Sequence, residues 1–238
     1  MLSKHTLVAA VLGGLTFCAS ATITVTGTRD FGGATVGTSC DGGSETQQPV
    51  ILVKDGGVVK NVTLQAGAAA DGIHCEGNCT LQNVNWPDVC EDAATMKGGS
   101  GKKMTITGGS AAAAGDKIFQ HNGIGSNVTI TSFTVNGTNG KLYRSCGNCS
   151  SQGKRTVNIS SVTVNGKLNS GMAAINKNYG DVATIRSVRW KGWSSSSTST
   201  SNAACITYTG VTSGESPKIG PEWGTSNCNV KKTDITSF

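Results

Sequence analysis

Five charged residues recur at nearly regular intervals and carry side chains suited to metal binding or proton transfer. They are Glu45, Asp71, Asp92, Lys117 and Lys141, separated by 26, 21, 25 and 24 residues. Carboxylates bind divalent cations, and a lysine amine can accept a proton or bind an anion. If successive turns of a repeating structure carry them, the acids lie at one end of a row and the lysines at the other.

An apolar pattern of the form aliphatic-x-x-apolar recurs with nearly the same step as the charges. Its copies begin at Val59, Leu81, Ile106, Ile130, Ile159 and Ile185. Copies such as LQNVNW and ISSVTV alternate in the manner of strands, and self-similarity at this period indicates a solenoid. Asp92, Lys117 and Lys141 each stand eleven residues after the start of their own repeat, so stacking would align them.

The predicted fold is an all-β, single-domain, right-handed parallel β-helix. A leucine-rich horseshoe is the competing solenoid, but leucines are few and no helical segment follows each strand. The composition agrees, because 33 glycines, 14% charged residues and 5% aromatic residues are typical of many short strands joined by tight turns.

The first 21 residues have the features of a signal peptide. Lys4 precedes the apolar run LVAAVLGGLTF, and Ala19-Ser20-Ala21 provides a cleavage signal. The apolar run is too short to span a bilayer. We therefore expect a secreted protein without a membrane anchor, whose residues 22–238 form the β-helix domain and end in a disulfide-tied tail.

Removal of Cys18 with the signal would leave eight cysteines, at positions 40, 75, 79, 90, 146, 149, 205 and 228. An even number in an exported protein indicates disulfides. The spacings at 75–79 and 146–149 resemble zinc sites, but export disfavours that alternative. Eight cysteines allow 105 pairings, so connectivity stays open. The intervals fit Cys75 with a partner on a neighbouring coil and Cys205 with Cys228 as a clamp on the tail.

Four segments carry a resemblance to a known family. They read ADGIHCEGNCTLQNVNWPDVCEDAAT from Ala70, GDKIFQHN from Gly115, GKLYRSCGNC from Gly140 and INKNYGD from Ile175. They closely resemble the extracellular pectate lyases of polysaccharide lyase family 3, which are small calcium-dependent parallel β-helix enzymes. The resemblance spans roughly residues 40–228. It implies β-elimination of de-esterified homogalacturonan (polygalacturonate), in which the C5 proton is removed and the C4 oxygen leaves, giving 4,5-unsaturated oligogalacturonides.

The resemblance also implies roles for individual residues. The Ca²⁺ ligands would be Asp71, Glu91 and Asp92, with help from Glu45 and Asp88. The basic half of the site would comprise Lys117, Lys141 and Arg144. Lys117 would be the base, Arg144 would stabilise the enolate or bind the adjacent uronate, and Asp116 would orient Lys117 or contact the metal.

Two physical conditions follow from these roles. A free lysine has a pKa near 10.4, so a lysine base needs neighbouring positive charge to lower its pKa. Calcium, Lys141 and Arg144 would supply that charge, and we expect an alkaline optimum. Glu91 and Asp92 are adjacent in sequence, so both can bind one ion only if the chain bends between them.

Several residues have plainer structural interpretations. The row of acids and lysines could be a surface salt-bridge seam, which adds little stability. A lone histidine such as His74 or His121 is more often a hydrogen-bonded structural residue, and Trp86 falls on the apolar register and should pack in the core. Pro87 and Cys90 stand where the family usually has glutamate and glycine. Lys177 adds a positive charge beside the expected groove.

Net charge favours an acidic partner. The chain carries +6, or +5 without Lys4, which would attract a polyanion such as pectate. Scarce aromatic residues and the absence of a recognition motif argue against nucleic acid. We expect a monomer. Two alternatives remain, namely an inactive β-helix that binds cell-wall polysaccharide and a polygalacturonase, which would need paired carboxylates around a water molecule.

Overall fold

The computed structural model describes residues 16–18, by their backbone alone, and residues 21–238. The predicted signal peptide falls mostly outside the described residues, so its boundary stays a prediction. The described chain consists of short strands and three 3₁₀ helices, at Lys177–Tyr179, Thr200–Asn202 and Lys232–Asp234. Within these residues, no helix is long and apolar enough to cross a membrane.

The first twelve strands are β1 (Thr16–Cys18), β2 (Ile23–Val25), β3 (Thr28–Asp30), β4 (Thr35–Gly37), β5 (Ile51–Val53), β6 (Gly57–Leu64), β7 (Ile73–Cys75), β8 (Cys79–Trp86), β9 (Ala94–Met96), β10 (Lys103–Thr107), β11 (Ser110–Ala112) and β12 (Lys117–His121). The remaining twelve are β13 (Asn127–Thr131), β14 (Thr134–Asn139), β15 (Lys141–Ser145), β16 (Thr156–Ser160), β17 (Thr163–Leu168), β18 (Ala173–Asn176), β19 (Val182–Arg186), β20 (Val188–Trp190), β21 (Cys205–Tyr208), β22 (Lys218–Pro221), β23 (Cys228–Asn229) and β24 (Ile235–Ser237).

The strands stack into two long sheets that wrap around one core. The nine-stranded sheet has the order β2-β5-β7-β9-β12-β15-β18-β21-β22, and a fifteen-stranded sheet forms the other two faces. Neighbouring strands pair in parallel, and the antiparallel pair β21–β22 ends the nine-stranded sheet. Each coil therefore sends one strand to the nine-stranded sheet and then continues through the other. The predicted parallel β-helix is confirmed.

The recurring apolar pattern marks a corner in each coil. Its third position adopts a left-handed backbone conformation in Asn61, Asn83, Gly108, Ser132, Ser161 and Ser187, with φ between 52° and 67°. On a straight strand, residues three apart would face opposite sides. The left-handed residue turns the chain, so Ile159 and Val162 on either side of Ser161 both point into the core. The spacing of three residues between the apolar positions therefore results from the corner in the backbone.

The first position of the pattern forms an unbroken stack through the core. The six residues from Val59 to Ile185 pair with one another in register along the sheet. Trp86 is fully buried, and its ring centroid lies 5.9 Å from that of Phe119 and 6.3 Å from that of Phe133, so the prediction that it packs in the core is confirmed. Burying each aliphatic side chain of the stack contributes about 1.5–3 kcal/mol, which favours this strand register over one shifted by a residue.

Four disulfides join the eight cysteines. Cys205 pairs with Cys228, as predicted for the tail clamp. The expectation for Cys75 is wrong, because it pairs with Cys79 across the tight corner between β7 and β8 rather than with a neighbouring coil. The other two bridges are Cys40–Cys90 and Cys146–Cys149. Since all eight are paired, zinc ligation by these cysteines is excluded.

Candidate active site

The row of charges predicted from the repeats exists at the start of the strands of the nine-stranded sheet. Lys117 and Lys141 begin β12 and β15 and pair directly with each other. Asp71 and Asp92 stand two residues before β7 and β9, whose register with β12 brings them to the same level of the sheet. Four of the five repeating charges therefore align along the solenoid, and Glu45 lies in the irregular segment between β4 and β5.

Three of the predicted metal ligands form one compact group of acids. Asp71, Glu91 and Asp92 each offer a carboxylate oxygen, and these oxygens lie within 4.8 Å of one another. Glu91 is 9% exposed and Asp92 is 3% exposed. The chain is bent rather than extended at residues 90–93, as two adjacent acids facing one point require. Burial raises the pKa of Glu91 and raises that of Asp92 well above its ordinary value, against the opposing pull of Lys117.

The acid group has the chemistry of a site for a hard divalent cation. Oδ1 of Asp71 is buried without a hydrogen-bond partner, while Oδ2 of Asp71 lies 2.7 Å from Nε2 of His74. Oδ1 of Asp92 is 3.0 Å from Nζ of Lys117, an ion-pair distance but outside hydrogen-bond geometry. Buried carboxylate oxygens without partners are costly unless a cation or proton balances them. The donor set of Asp71, Glu91 and Asp92 fits Ca²⁺, which prefers several carboxylate oxygens.

Lys117 is the internal counter-charge of these acids. Its Nζ lies 3.0 Å from Oδ1 of Asp92, 3.3 Å from Oε1 of Glu91 and 3.5 Å from Oδ2 of Asp116. Burial by itself lowers the pKa of Lys117, but the charges of Asp92 and Glu91 outweigh it, and the pKa is raised. In the protein alone the nearest charged neighbours of Lys117 are acids rather than cations, and the lowering of its pKa that is expected with bound calcium stays a prediction.

Lys141 has a different partner. Its Nζ donates a hydrogen bond to Oδ1 of Asp116 and is also 3.4 Å from the backbone carbonyl oxygen of Asp116. Burial opposes ionisation of Asp116, but the hydrogen bond and charge of Lys141 prevail and lower the pKa of Asp116. Asp116 thus bridges the two lysines.

The row is not a solvated surface seam. Lys117 is 7% exposed and Lys141 is 8% exposed, so their amines are withdrawn from bulk water. Ion pairs with this degree of burial carry a desolvation penalty that a purely stabilising surface pair avoids. The arrangement favours a functional site over the structural alternative.

Arg144 completes the basic half of the site. It follows Lys141 on β15, and its guanidinium carbon lies 4.1 Å from the centroid of the Tyr208 ring. Nη1 and Nη2 donate to Oδ1 of Asn176 at 3.3 Å and to Oγ of Ser216 at 2.9 Å. Tyr208, Asn176 and Ser216 carry no signal in the repeat pattern, although Asn176 belongs to the INKNYGD segment.

A cleft of about 590 Å³ opens over the three cations. Lys117, Lys141 and Arg144 line it together with Asp116, Gln120 and Tyr208. Glu45 also lines this cleft, so it lies on the basic side and outside the group of three acids. Asp88 also lies outside that group, and its Oδ2 accepts a hydrogen bond from the backbone amide of Gly67 at 3.2 Å. The structure therefore places Glu45 and Asp88 outside the acid group that they were expected to help as metal ligands.

The remaining sequence-predicted residues have structural partners. His121 is enclosed between the hydroxyls of Tyr143 and Ser126, each 2.7 Å away, and burial lowers the pKa of His121 to about 3. Lys177 forms an ion pair with Glu222 at 2.6 Å, so its charge is compensated. Pro87 lies just after β8, where a missing backbone donor costs no ladder hydrogen bond.

Known proteins are similar to this chain in sequence. The profile of the family described as Pectate lyase matches residues 14–215. "Probable pectate lyase E" of Neosartorya fischeri is 42% identical over 215 residues, covering 87% of this chain and 78% of that protein. "Pectate lyase E" of Emericella nidulans is 47% identical over 180 residues, covering 73% of this chain and 67% of that protein.

Solved structures agree. The catalytic domain of pectate lyase PelI from Erwinia chrysanthemi has a TM-score of 0.84 and 41% identity, covering 91% of this chain and 97% of that one. PelI in complex with tetragalacturonic acid has a TM-score of 0.82 and 41% identity, covering 93% of this chain and 70% of that one. The stacked acids and lysines, the β-solenoid that aligns them and these similarities lead to one conclusion: the chain belongs to the pectate lyase family.

Proposed function

We propose that this protein cleaves de-esterified homogalacturonan by calcium-dependent β-elimination and releases 4,5-unsaturated oligogalacturonides. The observation that carries the proposal is the pairing, in one site, of two buried acids and the partly buried Asp71 with Lys117, Lys141 and Arg144 at the edge of an open cleft. Membership of the pectate lyase family supports the reaction class.

Asp71, Glu91 and Asp92 would hold the cation. When bound, Ca²⁺ neutralises the uronate carboxylate and so makes the adjacent C5 proton more acidic. The two acids whose pKa is raised by burial must be ionised to act as ligands, so the site is built for neutral or alkaline conditions. His74 contacts Oδ2 of Asp71, which leaves Oδ1 without a hydrogen-bond partner and available to a cation.

Lys117 is our choice for the base. Its amine contacts Asp92 and Glu91 directly, whereas the acid partner of Lys141 is Asp116. In the active state the amine must be neutral, and ligation of the acids would weaken the attraction that now raises its pKa. Asp116 would then keep the amine oriented toward the cleft through its contact with Lys117.

Lys141 and Arg144 would bind negative charge on the substrate. Arg144 would stabilise the enolate that forms as C5 loses its proton, or bind the carboxylate of the adjacent uronate. Because the cleft is lined by three cations and the chain has a net charge of +6, a polyanion should be attracted to it. We further propose that the protein is secreted and acts as a monomer.

The test is incubation of the purified protein with polygalacturonate, with added CaCl₂ or with EDTA. Elimination creates a carbon–carbon double bond conjugated to a carboxylate, which absorbs in the ultraviolet, and we expect absorbance to rise only with calcium. New reducing ends without absorbance would indicate a polygalacturonase. Binding of polygalacturonate without any product would indicate the inactive polysaccharide-binding alternative.

A further inference from the structure

Arg144 differs from the other two cations of the cleft in having no acid partner. Lys117 is paired with Asp92 and Glu91, and Lys141 is paired with Asp116. Within the described residues, no carboxylate forms an ion pair with the guanidinium of Arg144, whose side chain is largely buried. A buried cation without a counterion is costly and is retained where a ligand supplies the opposite charge.

Asn176 accepts a hydrogen bond from Nη1 of this guanidinium. Asn176 is fully buried, and its Nδ2 donates to the backbone carbonyl oxygen of Cys146 at 2.7 Å. Because the amide nitrogen is committed there, the amide oxygen must face Nη1 of Arg144. The backbone amide of Asn176 donates to Oδ2 of Asp181 at 2.8 Å, which fixes the position of the residue itself.

Ser216 accepts a hydrogen bond from the other terminal nitrogen, Nη2, and its own hydroxyl proton is also committed elsewhere. Its hydroxyl donates to the backbone carbonyl oxygen of Thr209 at 2.8 Å, so the lone pairs of Oγ remain to accept from Nη2 of Arg144 at 2.9 Å. Ser216 lies on a segment, residues 209–217, that links β21 to β22 and that we call the strap. The strap is tied to the Cys146–Cys149 loop, because the backbone amide of Val211 donates to the carbonyl oxygen of Gly147 at 2.8 Å.

Asn176 and Ser216 share one property, because both accept hydrogen bonds from Arg144 without carrying a charge. A carboxylate that fixes an arginine through a forked pair of hydrogen bonds also neutralises its charge. Asn176 and Ser216 are both uncharged acceptors, and together with the Tyr208 ring they use the face and two N–H groups of the guanidinium. The charge and three of the five N–H donors of Arg144 are left for a ligand.

We propose that Asn176 and Ser216 are positioning residues that aim Arg144 into the cleft without neutralising it, so that its charge is reserved for a uronate carboxylate or enolate of the substrate. The inference rests on the proposed function, since it assigns the acidic sugar as the ligand. The strap thereby contributes to the site from a part of the chain 72 residues away from Arg144.

The test compares three substitutions on the strap. Ser216→Ala removes the acceptor, and Ser216→Asp replaces it with a charged acceptor that would pair with Arg144. Ser213→Ala is the matched control, because Ser213 is an exposed serine of the same strap and outside the cleft lining. Each is measured as kcat/KM on polygalacturonate with calcium and as tetragalacturonate binding by calorimetry. The melting temperature of each variant verifies folding.

We expect Ser216→Ala to lower kcat/KM about tenfold, the usual effect of losing one hydrogen bond to a charged group. Ser216→Asp should lower it further, on the order of 100-fold, although it offers a stronger hydrogen bond, because it neutralises the guanidinium. Ser213→Ala should stay within about twofold of the unsubstituted protein, since surface changes away from such contacts have little effect.

A double-mutant cycle shows whether Ser216 acts through Arg144. In an Arg144→Lys background, Ser216→Ala should add less than about twofold, because the lysine cannot make the forked contacts. The inference is overturned if Ser216→Ala matches Ser213→Ala, if Ser216→Asp is as active as the unsubstituted protein, or if the loss is equal in both backgrounds. If the unsubstituted protein shows no lysis, the proposed function fails. The inference about Arg144 is then tested by tetragalacturonate affinity alone, and a protein that does not bind tetragalacturonate overturns that inference too.

Discussion

At the scale of single residues, each of the two lysines in the site is paired with an acid. Lys117 neutralises the buried carboxylates of Glu91 and Asp92, which in turn raise its pKa. The amine that we assign as the base is thus held in its protonated form at neutral pH in the protein alone. Cation binding at the acids would have two effects, since the cation could also bind the substrate carboxylate and would weaken the attraction between the acids and the lysine. This interdependence would account for a metal requirement.

The raised pKa values predict activity that increases with pH. The neutral amine of Lys117 becomes more abundant as pH rises, and so kcat should increase through the alkaline range. As pH falls, Glu91 and Asp92 take up protons at a higher pH than ordinary carboxyls, and calcium affinity should fall with them. Both effects act in the same direction. A pH–rate profile at saturating calcium checks this, and a maximum at acid pH would refute the assignment of a lysine base.

His74 should matter for calcium affinity rather than for proton transfer. It is hydrogen-bonded, as expected for a lone histidine, but its partner is the carboxylate of Asp71. Replacing such an outer partner of a metal ligand typically costs 10–100-fold in affinity. We expect His74→Leu to weaken calcium binding about tenfold in calorimetry, and His74→Gln, which retains a nitrogen donor, to weaken it less. Equal affinities for the two variants would show that the contact does not position Asp71.

The sequence predicts the residues on the repeat well and the others poorly. Asp92, Lys117 and Lys141 could be aligned because each stands eleven residues after an apolar position that must face the core, and Asp71 stands twelve residues after Val59. Glu45 lies in a turn-rich segment without that register, and its position on the basic side of the cleft could not be foreseen. Spacing also could not show that Lys117 contacts the acids directly, because that depends on side-chain direction.

At the scale of structural elements, the bent segment at residues 87–93 controls the acid group. It leaves β8 at Pro87, is joined to the N-terminal part of the chain by Cys40–Cys90, and then presents Glu91 and Asp92 before β9 begins. Pro87 and Cys90, the two departures from the family pattern, therefore lie in a connection rather than in a strand. The acids keep their grouping, and the disulfide ties the segment at the residue that precedes Glu91.

Removal of the Cys40–Cys90 bridge should lower both stability and calcium affinity. The cysteines are 50 residues apart, and the chain-entropy estimate for a loop of that length is about 4 kcal/mol. The variant Cys40→Ser/Cys90→Ser should show a clear fall in the free energy of unfolding in urea and weaker calcium binding by calorimetry.

The matched control for this variant is Cys146→Ser/Cys149→Ser, whose bridge spans only three residues. The same estimate gives about 2 kcal/mol for so short a loop. This bridge lines the basic side of the cleft and does not adjoin Glu91 in the sequence as Cys90 does. Equal losses of stability and calcium affinity in the two variants would contradict a specific role for Cys40–Cys90.

The corners of the coils illustrate what sequence pattern can and cannot reveal about elements. The aliphatic-x-x-apolar spacing identified the repeats, but its cause, the left-handed residue at positions such as Asn83 and Ser161, emerges only from the backbone. The disulfide between Cys75 and Cys79 was missed for a related reason. Its geometry depends on the sharp corner between β7 and β8, which sequence separation does not encode.

At the scale of the whole molecule, stacking converts sequence periodicity into a linear site. Each parallel pairing brings residues some 20–30 positions apart to neighbouring strands, so one charge per coil produces a continuous row. The long-range part of the site lies outside this rule. Asn176, Tyr208 and Ser216 reach Arg144 from later coils and from the strap, and no local pattern links them to it.

The central claim is that the cation bound by the acids and the amine of Lys117 have different roles in one reaction. The cation binds the substrate carboxylate, and the amine removes the C5 proton. Its most direct test is the lyase rate of Lys117→Ala at saturating calcium, with calcium binding measured by calorimetry on the same preparation. We expect kcat to fall by about 10³-fold, within the range for loss of a general base, while calcium binds at least as tightly because a competing cation has been removed. A Lys117→Ala protein that retains calcium binding and cleaves polygalacturonate within tenfold of the unsubstituted rate would contradict the account.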